Sequence, residues 1–278
     1  MLLITGAKGQ LGQCFQDLLT AKEALFTDAD ELNITDKDAV LGFNQPLSGI
    51  INCAAYTNVD KAEDEQALAA KINVQGPQNL SLLAQKQNIP LIHISTDYVY
   101  DGKSNTPITE NAQTAPLGVY GRTKLEGEQE ALRFAPTALI IRTAWLYSPY
   151  GKNFVKTMLS LGKTKEQINV VYDQVGTPTY APHLAQAILN ILPQIKPGTK
   201  QIYHFSNEGV CSWYDFAWYV LSKAGSKCKI NPILSKEYPT KAIRPAYSVL
   251  SKNKIKTDFK LNIPHWITGA EQCLKKLV

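Results

Sequence analysis

A doubly wound parallel α/β sheet with a smaller C-terminal α+β domain is the fold this sequence predicts, and three observations carry it. Short, wholly apolar runs alternate with helix-patterned segments from Leu2 to Arg142. A glycine-rich turn joins the first such run to the first helix. After Ala144-Trp145-Leu146-Tyr147 the regular alternation loosens. Runs that are apolar throughout belong to parallel strands buried on both faces, and parallel strands need helical crossovers to return the chain. At 278 residues there is chain enough for one large or two modest domains with a sizeable core. The expected division is residues 1–145 and 146–278, with segments at about 165–205 returning to the first unit.

The first strand, Leu2 to Thr5, leads into Gly6-Ala7-Lys8-Gly9-Gln10-Leu11-Gly12. A helix follows from Gln10 to Thr20, with Leu11, Phe15, Leu18 and Leu19 on one side. Strand, GxxGxxG turn and helix in that order are the setting of a dinucleotide-binding fingerprint in a Rossmann-type sheet. Glycines let the backbone approach a pyrophosphate, and the following helix supplies oriented N–H groups. Without those flanks a glycine loop marks only a tight turn. The second strand, Ala24-Leu25-Phe26-Thr27-Asp28, ends in an acid sixteen residues past Gly12. An acid there accepts hydrogen bonds from the adenosine ribose and repels a 2′-phosphate, which favours NADH over NADPH. Asp30, two residues on, competes for that role. Leu32 to Asp36 then opens a helix capped by Thr35 or Asp36. Asn33 and Ile34 are cofactor-side candidates there, Ile34 as an apolar cover for one face of an adenine.

Gly49 to Asn52 is the third strand, followed by Cys53-Ala54-Ala55-Tyr56-Thr57, where small residues leave room for a flat ligand at the sheet's edge. Helices are expected at Asp60 to Asn73 and Pro77 to Gln87. The fourth strand, Leu91 to Ser95, delivers Thr96, Asp97 and Tyr98. A hydroxyl at a strand's C-terminal end can reach a reacting carbonyl, although capping a turn is the plainer role for Thr96 or Asp97. A polar surface loop, Gly102 to Pro116, precedes a helix from Gly118 to Phe134 and a fifth strand from Thr137 to Arg142. Beyond it, helices are expected at Asn153–Leu161, Leu184–Leu192, Trp213–Ala224 (capped by Ser212) and Ile267–Leu277. Strands are expected at Ile168–Tyr172 and Gln201–Phe205, with a turn over Asp173–Thr179.

The helix Gly118–Phe134 carries the chemistry. Tyr120 and Lys124 lie four residues apart, so a helix stacks them on one face. A lysine cation beside a tyrosine favours the phenolate and lowers its pKa from about 10. A phenol tuned that way hands a proton to a developing alkoxide as a carbonyl is reduced. Alone, a Tyr/Lys pair at this spacing is an ordinary pair of helix neighbours. Behind a nucleotide loop, and with Thr96 at the same sheet edge, it reads as functional.

Composition excludes other classes. Net charge is +5 with no long basic run, and the lysines at 252, 254, 256, 275 and 276 read as solvated faces, so no nucleic-acid partner is expected. Five scattered cysteines without CxxC spacing and four unclustered histidines argue against a disulfide framework or zinc site, and for a reducing compartment. Met1 to Gly6 reads as a strand, not a signal peptide, and no apolar run reaches the about 20 residues that cross a bilayer. A cytoplasmic chain with no membrane partner is expected.

Eight segments carry a resemblance to a known family: GAKGQLG (6–12), NCAAYTNVDKAE (52–63), HISTDYVYDG (93–102), VYGRTK (119–124), RTAWLYSPYGKNF (142–154), DQVGTPTYA (173–181), HFSNEGVCSWYDFA (204–217) and RPAYSVLS (244–251). Together they span almost the whole chain and resemble the extended short-chain dehydrogenase/reductases, most closely the dTDP-4-dehydrorhamnose reductases. GxxGxxG and YxxxK are shared by the whole superfamily, whereas AAYTxVDxAE, DQxGxPT and RPxxSxL are narrower. The resemblance implies hydride addition from NADH or NADPH, with Asp28 leaning the choice to NADH, to the C4 ketone of a dTDP-linked 6-deoxy-lyxo-4-hexulose. That is the last step of dTDP-L-rhamnose synthesis. Sister reductases that make 6-deoxytalose, and a non-catalytic regulatory subunit of methionine adenosyltransferase, share the likeness.

By the same resemblance Tyr120 is the general acid, Lys124 lowers its pKa and holds the nicotinamide ribose, and Thr96 hydrogen-bonds the sugar oxygen. Tyr98 and Trp145 fall on sugar-contacting positions, Trp145 also fitting core packing. Gly6, Gly9, Gln10, Leu11, Asp28, Ala54, Ala55 and Tyr56 fall on cofactor-contacting positions, with Asn33 and Ile34 beside them. Some members pair through a metal held by glutamates, and Cys14 and Pro182 stand at those places here. No metal, and a monomer or weak homodimer, are therefore expected.

Overall fold

Apolar sequence decides where the strands run. In the computed structural model, which describes residues 1–278, β1 (Leu2–Thr5) and β3 (Gly49–Asn52) are buried along their whole length. With β2 (Ala24–Thr27), β4 (Pro90–Thr96), β5 (Thr137–Thr143) and the edge strand Lys200–Phe205 they form one sheet. Its order is Lys200–Phe205, β5, β4, β3, β1, β2, with every pair parallel. The order reverses between β1 and β3, and open parallel sheets take ligands at the strand ends beside such a point.

Because side chains alternate across a strand, neighbouring residues feed two cores. Ile4, Ile51, Ile92 and Leu139 pack with Phe15, Leu184 and Ile188 on one face. Leu3, Ile50, Leu91 and Ile140 pack with Leu80, Leu83 and Ala131 on the other. A third core, built on Tyr147, Val155, Phe216, Val220, Trp266 and Cys273, lies beyond the sheet. There Gln167–Val171 pairs in parallel with Lys229–Ile233, so this strand does not join the main sheet. Ala181–Ile191 packs on the main sheet, Lys200–Phe205 forms its edge, and Ile255 of the helix Asn253–Phe259 joins the same core.

Three expectations need correction. The first helix runs only over Gln10–Gln16, because the chain turns at Asp17 and leaves Leu18 41% exposed. The single helix expected over Asp60–Asn73 is broken into Val59–Ala62, Gln66–Ala70 and a wide turn, Lys71–Gln75. Asn73 explains the wide turn. Its side chain is buried and spent on tertiary bonds, accepting from Tyr56 N and donating to Tyr56 O and Thr123 Oγ1. The turn expected over Asp173–Thr179 holds two short strands, Val175–Gly176 against Cys211–Ser212 and Thr179–Tyr180 against Leu146–Tyr147. No helix is long and apolar enough to cross a membrane.

Candidate active site

A cleft of about 800 Å³ runs along the C-terminal ends of β1 to β5. One end is the glycine turn. Gly6 has φ of +70°, and a Cβ there would lie 2.6 Å from Ala54 N. A Cβ on Gly12 would lie 2.3 Å from the Gly6 carbonyl oxygen. Only glycines allow this loop to close on the segment after β3, which leaves bare backbone along the cleft. That cradle fits the phosphates of a dinucleotide. Asp28 lies on the wall beyond it, accepting from the backbone N–H groups of Lys8 (2.9 Å) and Ala29 (2.8 Å). Asp30 points elsewhere: its carboxylate pairs with Lys8 Nζ at 2.7 Å in open solvent. Between the two acids, Asp28 faces the cleft.

Gly9, Gln10, Leu11, Asn33, Ile34, Ala54 and Ala55 also line it. Asp36 caps the helix Lys37–Leu41, accepting from Ala39 N, which leaves Asn33 and Ile34 in the preceding turn. Tyr56 does not line the cleft, contrary to the sequence expectation. Its hydroxyl donates to Glu65 Oε2 at 2.5 Å, and its ring packs on the cluster of Ala62, Ala69 and Val119.

Thr96, Tyr98, Tyr120, Lys124 and Trp145 meet at the other end. The Tyr98 and Tyr120 rings make an edge-on pair with centroids 5.4 Å apart. Thr96 is buried, donates to Asp97 Oδ1 at 3.1 Å and accepts from Tyr98 N at 3.2 Å. Burial pushes the Tyr120 phenol above its ordinary value, and the nearby Thr96 hydroxyl only partly offsets this. The expected lowering by Lys124 is absent. The lysine donates to Ile94 O at 2.7 Å and lies 3.3 Å from His93 Nε2, and burial brings its own pKa down to about 8. Lys124 does not offset the burial of the phenol, being itself buried and bonded elsewhere. Tyr120 is thus a neutral phenol, the form that a proton donor requires.

Trp145 sits at φ +50°, in the left-handed region that a bulky side chain enters only under constraint. The constraint is visible. Its indole stacks on Trp213 at 3.6 Å and 10°, which aims the ring at the cleft.

Sequence reasoning missed two polar groups. Asp97 is 3% exposed, lines the cleft and has one oxygen, Oδ2, with no partner. Burial pushes its carboxyl up to about 7. Its position after a strand was legible, but a turn cap and a site residue look alike in sequence. Arg244 reaches Tyr98 Oη at 3.3 Å while pairing with Asp60 Oδ2 at 2.7 Å. Its place within RPAYSVLS was the only available signal.

The chain is similar to known proteins along almost its whole length. The chain matches the RmlD substrate binding domain family over residues 1–278. A dTDP-4-dehydrorhamnose reductase of Aggregatibacter actinomycetemcomitans is 42% identical, covering 95% of this chain and 95% of its own. A solved dTDP-4-dehydrorhamnose reductase of Clostridium acetobutylicum superposes with a TM-score of 0.95 at 42% identity, covering 99% of both chains. Another, from Bacillus anthracis in complex with NADP, gives 0.94 at 38% identity over 99% of this chain and 98% of its own.

Proposed function

Because the chain belongs to the RmlD substrate-binding family, we propose that it is an NAD(P)H-dependent reductase of a nucleotide-linked 4-keto sugar. The substrate is dTDP-4-dehydrorhamnose and the product dTDP-L-rhamnose. The observation that carries this reading is the meeting of Thr96, Tyr120 and Lys124 in the cleft that begins at the glycine turn. The bound dinucleotide supplies a hydride to C4 of the sugar. Tyr120, held neutral by burial, donates its proton to the C4 oxygen, and the Thr96 hydroxyl orients that oxygen. Lys124 holds the ribose beside the nicotinamide. Trp145 offers an indole face to the sugar ring, Tyr98 packs beside Tyr120, and Asp97 steadies Thr96 by accepting from its hydroxyl.

Gly6, Gly9, Gln10, Leu11, Asn33, Ile34, Ala54 and Ala55 hold the cofactor. Asp28 leans the choice towards NADH, since its carboxylate repels a 2′-phosphate. Residues 1–145 supply the cofactor half and the reacting end of the sugar site, and 146–278 mainly the remaining walls around the sugar, acting as a monomer or weak homodimer. A reduced dinucleotide and a nucleotide sugar are both reagents of the cytoplasm, where we expect the chain to work.

Loss of NADH or NADPH absorbance on adding the dTDP-4-keto-lyxo-hexulose, with NMR of the product sugar, tests the reading. Rhamnose is expected. A C4 epimer would keep the chemistry and change the product. Cofactor binding without oxidation would sink the enzyme reading and favour a regulatory subunit.

A further inference from the structure

Lys124 ends a buried polar chain that the proposed reaction leaves unused. Its Nζ lies 3.3 Å from His93 Nε2, and His93 Nδ1 lies 3.0 Å from Asn52 Nδ2. Asn52 Oδ1 accepts from Thr5 Oγ1 at 2.8 Å and from the Ala54 N–H at 3.1 Å. Thr5, Asn52, His93 and Lys124 are all at most 2% exposed, so their partners are chiefly one another and the backbone around them. A backbone N–H can only donate, so Ala54 fixes Oδ1 on its side and turns Nδ2 of Asn52 to the histidine. An amide nitrogen also only donates, so His93 Nδ1 must present its lone pair. A neutral imidazole then carries its proton on Nε2, aimed at the lysine nitrogen. An ammonium has no lone pair to receive that proton, whereas an amine has one and still donates to Ile94 O.

The surroundings agree. Burial keeps His93 from becoming charged and brings Lys124 down to about 8. Of the other titratable groups near the lysine, burial pushes the Cys53 thiol up and the Tyr120 phenol up, so both stay neutral. Glu128, a turn along the same helix, is taken by Arg142 of β5 through Nε (2.8 Å) and Nη2 (2.6 Å), and by Ser95 Oγ. Asp97 lies on the Tyr120 side.

We propose that His93 is a positioning residue that holds Lys124 as an uncharged amine in the cofactor-free protein at mildly alkaline pH, so that dinucleotide binding there draws one proton from solvent onto the lysine. This rests on the reading of the cleft as a dinucleotide site. A dinucleotide brings negative charge into a low-dielectric cleft and favours the ammonium there. The proton comes from bulk water, and no bond to carbon changes.

Two measurements on the intact chain test it. In cofactor-free protein with 15N-labelled histidine at about pH 9, where the lysine is the amine, His93 is expected to be neutral and protonated on Nε2. A ring protonated on Nδ1, or charged at neutral pH, overturns the proposal. Calorimetric titration with NADPH in buffers of different ionisation enthalpy counts the protons taken up. Uptake should approach one per NADPH at about pH 9 and fall towards zero at about pH 7, because the free lysine titrates at about 8. Lys124→Met should abolish it. Binding at pH 9 without uptake, or uptake that survives Lys124→Met, overturns the proposal. No binding of NADPH or NADH would count against the dinucleotide site itself, and the histidine spectrum then decides the His93 assignment alone.

Discussion

Tyr120 and Asp97 share a cleft, and burial raises both, yet the consequences differ. For Tyr120 it secures a neutral phenol at working pH, as the proposed proton donor requires. Tyr120→Phe should therefore cost about 10²-fold or more in turnover while leaving NADPH affinity unchanged in a binding titration. For Asp97 it imposes a cost. The folded carboxyl titrates at about 7 against an ordinary value of 3.8, so between those pH values the folded chain binds more protons than the unfolded one. Its contribution to stability therefore falls as pH rises from about 4 to about 7. Asp97→Asn should remove that slope and raise thermal stability at about pH 8 by on the order of 1–3 kcal/mol, with lower turnover; thermal melts across pH read both. Thr96, Tyr120 and Lys124 were legible because spacing and strand ends are local. The electrostatics was not: Lys124 is bonded to Ile94 and close to His93, 30 and 31 residues away, and no i, i+4 rule reports that. Tyr56 escaped for the same reason, its hydroxyl being claimed by Glu65 and its backbone by Asn73.

The helix Val119–Phe134 is the element on which the site depends, and two glycines let it approach its neighbours. A Cβ on Gly121 would fall 2.1 Å from Tyr98 O, and one on Gly127 2.0 Å from Asn73 O. Both obstacles are backbone, so neither can swing aside. Gly121→Ala should push the helix off the strand end that bears Thr96 and Tyr98. The expected loss is about 1–3 kcal/mol of stability in denaturant titrations, with a fall in kcat exceeding any change in cofactor affinity. Further along, Glu128 and Arg142 form an ion pair whose side chains are each 2% exposed, joining the helix to β5. Glu128→Gln should leave the guanidinium buried without its counter-charge and cost about 3–5 kcal/mol. Periodicity located this helix to within one residue of its start, since its apolar stripe and flanking glycine are local signals. The wide turn over Lys71–Gln75 was invisible because its cause, Asn73 bonding to Tyr56 and Thr123, is tertiary.

Across the whole molecule, the cleft is closed by contacts between segments far apart in sequence. Gln10 of the glycine turn accepts from Asn153 Nδ2 and Ser148 Oγ. Arg244 and Lys241 reach back to Asp60 and Asp64. On the proposed reading a dinucleotide along Gln10 would join both sides of the cleft and would bind only the folded chain. Saturating NADPH should therefore raise the melting temperature, by the equivalent of about 2.7 kcal/mol at a hundredfold excess over Kd. The parallel sheet was readable from its apolar runs. The partner of Gln167–Val171 was not, because an apolar run states that a strand is buried and not which sheet receives it. Hydride transfer to C4 is the central claim, and isotope transfer tests it most directly. With NADPH deuterated at the nicotinamide C4 position and dTDP-4-keto-lyxo-hexulose, NMR should find one deuterium at C4 of the product 6-deoxyhexose. NADPH that binds and keeps its deuterium, with the keto sugar unchanged, would contradict the account.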